Sequence, residues 1–166
     1  MAIKRMTVLS VILSLLVLTA ACSTQAPTSE GSDAAQAEAY FLIFQEMFPS
    51  DSALNHEIKY IALDLSEARL ETPDSFTRLM EEFCAESEYT LLLDTIDGLT
   101  EKGYIKDLYF EEGIVISFKD RKLTDNQLIT EAMKWRSGLG AIGAAYTAEK
   151  KNGAWEITKT ENEWIS

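Results

Sequence analysis

The chain has 166 residues, 46% of them hydrophobic, with 15 basic side chains against 27 acidic ones and a net charge of −12. That acidity argues against nucleic acid as a partner, and the length accommodates one ordinary domain rather than the two lobes of a solute receptor. Two cysteines and a single histidine exclude a disulfide-built scaffold and leave too few nitrogen and sulfur ligands for zinc.

Residues 1–21 read as an export signal. Lys4 and Arg5 form a short positive region, and Val8 to Leu18 form an apolar run broken only by two serines, too short to span a bilayer. The next residues are Leu18-Thr19-Ala20-Ala21-Cys22-Ser23, small side chains leading into a cysteine. This stretch resembles the lipobox of bacterial lipoproteins. The resemblance implies cleavage before Cys22, attachment of lipid such as palmitate to its thiol, and a place on the extracytoplasmic face of the cell membrane, or on the outer membrane of a two-membrane envelope. The alternative is an ordinary secretory signal cleaved nearby. Residues 22–32 then form the lipidated cysteine and a Ser, Thr, Pro and Gly-rich tether, which as a coil holds the domain about 20 Å from the bilayer. Losing Lys4 and Arg5 leaves 13 basic residues against 27 acidic ones, a charge of −14. Such a surface is repelled by anionic headgroups, so membrane attachment falls to the acyl chains and a charge-steered partner should be cationic.

Residues 33–166 are expected to form a single domain. Its first half carries helical periodicity and its second half alternates with period two, which predicts an α+β fold: N-terminal helices packed on one face of a mostly antiparallel, curved sheet of four to five strands. The first helix is expected over 34–48, capped by Asp33 and stopped at Pro49, with Tyr40, Phe44, Met47 and Phe48 on one stripe. Residues 58–65 read as a strand with two apolar faces, hence an interior position or a covered edge. Thr72, Pro73 and Asp74 open a second helix whose inward face is Phe76, Leu79, Met80 and Phe83, with Cys84 beside it as a buried structural thiol. A third helix is expected over 90–102, ending at Gly103. Its close at Glu101-Lys102-Gly103-Tyr104-Ile105 resembles the end of a winged-helix recognition helix, though an exported acidic chain is a poor DNA binder.

In the sheet half, Ile114, Ile116 and Phe118 share a face, and the facing strand offers Ile129, Met133 and Trp135. A two-residue turn at Asp125-Asn126 would set Phe118 opposite Met133 and Ile116 opposite Trp135. It would also set Asp120 against Glu131, a like-charge clash that a bulge near the turn relieves. The last hairpin is signalled by Asn152-Gly153, which pairs Ala148 with Ile157 and Lys150 with Trp155 facing the helices, and Glu149 with Glu156 facing water. A meander closing on Asn152-Gly153-Ala154-Trp155-Glu156-Ile157 resembles the closing sheet of NTF2-like domains, and the resemblance bears on architecture alone.

Residues 138–143, Gly-Leu-Gly-Ala-Ile-Gly, match the dinucleotide fingerprint letter for letter. Their context does not. The preceding segment alternates apolar with polar residues, the following one runs into a hairpin, and 23 residues after Gly143 leave no room for a second mononucleotide half. No nucleotide or other cofactor is therefore expected. The glycines are expected to supply positive φ or sharp bending, Gly138 and Gly140 in a strand connection and Gly143 at a bulge or curvature. A second use is a surface site in which Trp135, Arg136 and Ser137 border an exposed glycine loop and offer an aromatic face, a cation and a hydroxyl to an anion or peptide carboxylate.

His56 reads as a solvated loop residue, and Asp94-Thr95-Ile96-Asp97-Gly98 lacks the ligand alternation of a calcium loop. No nucleophile, base and metal ligands converge in the sequence. The expectation is a membrane-anchored, non-catalytic binding or interaction module of the cell envelope with a protein or peptide partner. Two alternatives stand beside it. One is a small NTF2-like enzyme with a pocket between helices and sheet, using His56, Asp64 or a tyrosine; the other is an acidic inhibitor or immunity lipoprotein for a cationic exported protein.

Overall fold

A computed structural model describes residues 29–70 and 72–166. The signal, the lipobox and Cys22 lie outside the described residues. The first helix, α1 (Ser29–Met47), begins inside the stretch expected as tether, so residues 29–32 are helical and Asp33 is an interior position rather than the cap. The Ala-rich run at 34–39 nucleates the helix, which then extends one turn through Ser29-Glu30-Gly31-Ser32 against their weak intrinsic propensity. Ala37, Tyr40, Ile43, Phe44 and Met47 are buried at helical spacing.

The first strand, β1 (Tyr60–Glu67), leads to α2 (Asp74–Glu86). Pro73 rather than Thr72 holds the cap position, already in helical conformation and with no side-chain cap, while its carbonyl accepts from Thr77 N at 2.9 Å. Phe76, Met80 and Cys84 are buried on α2, with Leu79 and Phe83 packed at their side. Phe83 meets Phe44 edge-on at 4.8 Å and Phe48 at 5.2 Å, joining the two helices. Tyr40 meets Phe118 of the sheet edge-on at 5.2 Å. Such pairs add about 0.5–1.5 kcal/mol each beyond burial.

The helix expected over 90–102 is two elements. Residues Thr90–Leu93 form β2, paired in parallel with β1 from Tyr60↔Thr90 to Leu63↔Leu93, and only Ile96–Glu101 is helical, as α3. Pairing with β1 outweighs local helical spacing here, and Thr95 sets the true helix start by accepting from Gly98 N at 3.1 Å. Gly103 closes α3 in the left-handed region at φ +80, as expected.

The remaining strands are β3 (Gly113–Thr124), β4 (Gln127–Ser137), β5 (Gly140–Lys151) and β6 (Ala154–Ile165). The sheet is six-stranded and mixed, in the order β2-β1-β3-β4-β5-β6, with β1 parallel to both neighbours and the rest antiparallel. The expected four to five strands and one-sided packing are thus corrected. α1 and α2 cover one face, where Ile61, Leu63, Ile114, Ile116 and Phe118 are buried. Leu99 of α3, with Ile105 and Phe110, covers the other face over Ala62, Val115 and Trp135. Covering both faces requires β1 to be apolar on both sides, which accounts for its two-sided pattern.

The β3–β4 hairpin carries the most consequential departure. Near its turn the register is the expected one, with Thr124↔Gln127 and Lys122↔Ile129, but Arg121 is an extra residue and beyond it Phe118 faces Ala132 and Ile116 faces Lys134. Asp120 now lies opposite Thr130, and Glu131 lies opposite Lys119 and pairs with Arg121, so the bulge removes the like-charge clash. A one-residue shift turns every side chain over. Leu128, Ala132 and Lys134 face the helices, and Met133 and Trp135 join the opposite cluster. The final hairpin follows the sequence: Asn152 and Gly153 both take positive φ, and Ala148↔Ile157, Lys150↔Trp155 and Glu149↔Glu156 pair.

Candidate functional site

Trp135, Arg136 and Ser137 do not stand together as an open surface. Trp135 is 9% exposed and packed among Val115, Ala141 and Phe110, so its ring offers no face to a ligand. Arg136 is committed to the chain itself. Its Nη1 donates to the carbonyls of Leu54 at 3.0 Å and His56 at 2.7 Å, its Nη2 to that of Glu111 at 2.6 Å, and the guanidinium lies 5.8 Å from the Tyr109 ring. It fastens the 52–57 loop and the 109–112 segment to β4. Ser137 accepts from Leu139 N at 3.3 Å within its own turn.

The six residues Gly138 to Gly143 form the turn after β4 and the start of β5, so strand, turn and strand follow one another where a dinucleotide site requires strand, turn and helix. Gly138, Gly140 and Gly143 lack positive φ, which among the described glycines belongs to Gly103 and Gly153. Space is what Gly143 supplies: a Cβ there would strike the Trp164 indole at 2.6 Å, and the bulge in this region lies on the facing strand, between Glu161 and Trp164. Pleating directs that indole to the face of Met133 and Ala141, away from α1.

His56 is exposed, 3.8 Å from Glu57, while Asp64 lies on β1 and accepts from Ser66 N at 2.9 Å in a separate shallow groove. Cys84 is 2% exposed and burial pushes its thiol up to about 11, the behaviour of a structural residue. Asp94 accepts from Thr95 N and pairs with Lys102 at 2.6 Å, and these contacts hold its carboxyl below the usual range.

Two buried polar contacts on the helix side escaped the sequence reading. The Tyr40 hydroxyl donates to Asp120 Oδ2, which also accepts from Arg69 N at 2.6 Å, while Oδ1 has no partner among the described residues. Burial first, and Asp120 second, hold the Tyr40 hydroxyl far above its ordinary range. The other contact is Lys134, turned inward by the bulge and 0% exposed. Its Nζ donates to the carbonyls of Phe48 at 2.8 Å, Ser50, and Asp51 at 3.2 Å, and to Asn55 Oδ1 at 3.1 Å. The last turn of α1 carries no basic residue of its own, and Lys134 puts a cation just past that end from 84 residues away. Burial pulls the amine down to about 8, opposed by the Asp51 charge.

Beside this helix end lies a cleft of ≈ 550 Å³ between α1 and the outer strands β5 and β6. Glu46 and Asp51 line it from the helix end, Glu163 and Ile165 from β6, and Ile142 and Tyr146 from β5. No basic side chain among the described residues lines it. Among the described residues, neither Glu46 nor Glu163 makes an ion pair. Tyr146 is 6% exposed and its hydroxyl, on the cleft, has no hydrogen-bond partner among the described residues. Burial raises its hydroxyl above the ordinary range, and the charges of Glu46 and Glu163 raise it further.

The cleft was not legible in the sequence, where nothing links residues 46–51 to residues 142–146 and 160–165. What brings Glu163 into place is the irregularity at Asn162, with φ +53, where β6 slips against β5. No protein-family model matches the chain, and neither a curated protein nor a solved structure does.

Proposed function

We propose that the protein is a lipid-anchored, extracytoplasmic binding module without catalysis, held by Cys22 and presenting the α1–β5–β6 cleft to its ligand. The observation that carries the reading is Leu18-Thr19-Ala20-Ala21-Cys22 at the end of an apolar export signal. A cleft with unpaired polar groups supports the binding half, being within the size range of ligand pockets. The scatter of His56, Asp64 and Cys84 over separate places favours binding over acid-base or nucleophilic chemistry. The likeness of the closing hairpin to NTF2-like domains adds a framework in which a pocket between helix and sheet is natural. Metabolic labelling with palmitate tests the anchor. Label is expected on the native chain and absent from Cys22→Ser, and a labelled Cys22→Ser protein contradicts the assignment.

A further inference from the structure

We infer that the α1–β5–β6 cleft receives an alkylammonium group, a primary amine at the end of a methylene arm. The inference rests on the binding reading and names its ligand class. Two observations converge. Glu46, Asp51 and Glu163 bring three carboxylates to one opening that no basic residue lines among the described residues, and the one ammonium behind it, Lys134, is engaged by the carbonyls of Phe48, Ser50 and Asp51, so the field there favours a cation. Tyr146, nine-tenths buried, carries a hydroxyl left without a partner, a hydrogen-bonding group suited to fixing an N–H donor.

The remaining walls choose among cations. Met47, Ile142 and Ile165 are apolar and suit methylene groups better than a hydrated ion. Among the described residues no group of three or more Asp, Glu, His or Cys side chains is drawn together closely enough to hold a metal. An arginine-like fork favours bidentate carboxylates, whereas Glu46 and Glu163 belong to different elements on opposite walls and suit the compact, rotatable donors of an ammonium. The same group can come from a free diamine or from a lysine side chain of a cationic partner protein, and both present identical chemistry to the cleft.

The test is a titration of the full chain in nonionic detergent, followed by amide resonances of the cleft, with 1,5-diaminopentane, N-acetyl-lysinamide and the uncharged 1,5-pentanediol. Saturable shifts at residues 46–51, 142–146 and 160–165 are expected with the two amines and not with the diol. Glu163→Gln should weaken the amine by about threefold and Glu46→Gln/Glu163→Gln by about tenfold, with Glu111→Gln, outside the cleft, unchanged. Tighter binding of N-acetyl-lysinamide assigns the source to a protein lysine, and tighter binding of the diamine to a free polyamine. Equal binding of diol and diamine at the cleft overturns the ammonium assignment while leaving the binding site intact. Silence of the cleft toward every probe overturns the site and with it the binding reading. Unchanged amine affinity in the double variant, with near-ultraviolet dichroism showing native packing, also overturns the proposal.

Discussion

Lys134 makes stability depend on pH in a direction opposite to that of most folded proteins in alkali. In the unfolded chain its amine titrates near 10.5, and in the folded protein burial brings it to about 8. Between those values the folded state has released a proton that the unfolded state still holds, so stability rises with pH across the window. The full difference is about 3 kcal/mol, and between pH 7 and 9.5 linkage delivers about 2 kcal/mol of it. The Cys84 thiol, pushed up to about 11 from 9.0, acts the other way above pH 9, but it is common to both proteins in the comparison. The raised tyrosines Tyr40 and Tyr146 and the raised lysines Lys59, Lys102 and Lys119 lower stability only near and above pH 10. The assay is urea unfolding of the native protein and Lys134→Met at pH 7, 8, 8.75 and 9.5. Native stability minus variant stability should climb by about 2 kcal/mol, a relative midpoint shift of about 1 M urea. A difference that stays flat across the series refutes the buried, depressed lysine.

Tyr40→Phe removes the hydroxyl that satisfies buried Asp120, whose Oδ1 already has no partner, and should cost about 1–3 kcal/mol in chemical denaturation. Gly143→Ala places a methyl against the Trp164 indole and should cost about 1–3 kcal/mol, with Trp164→Ala restoring most of the loss in a double-mutant cycle; a Gly143→Ala protein as stable as the native one removes the packing role given to this glycine.

The helical stripe of α1, the apolar face of α2 and the Asn152-Gly153 hairpin were legible because each is decided by side chains a few residues apart. The Thr90–Leu93 strand was not, because its four residues also fit a helical spacing and only their partner on β1 chooses between the two. The face of β4 was misassigned for a related reason: Ile129, Met133 and Trp135 form the more apolar set, and the like-charge contact of Asp120 with Glu131 was the sole local sign of the bulge. Trp135 and Arg136 followed from that error, since the shifted register buries the ring and sends the guanidinium to three carbonyls. The cleft depends on α1 meeting β6 across more than a hundred residues, a distance over which periodicity carries no information.

The Arg121 bulge also bears on the order in which the chain folds. Apolar pairing alone favours Met133 and Trp135 opposite Phe118 and Ile116, the register without a bulge, while the Asp120–Glu131 contact opposes it. The native register needs acceptors for the Lys134 ammonium, and these sit at the end of α1, 79 to 86 residues away. Within the hairpin the Arg121–Glu131 pair and the relief of Asp120 favour the native register, and docking of α1, a contact of long sequence separation, completes it. In this chain a local hairpin and a distant helix together decide which of the hairpin's faces is the inside.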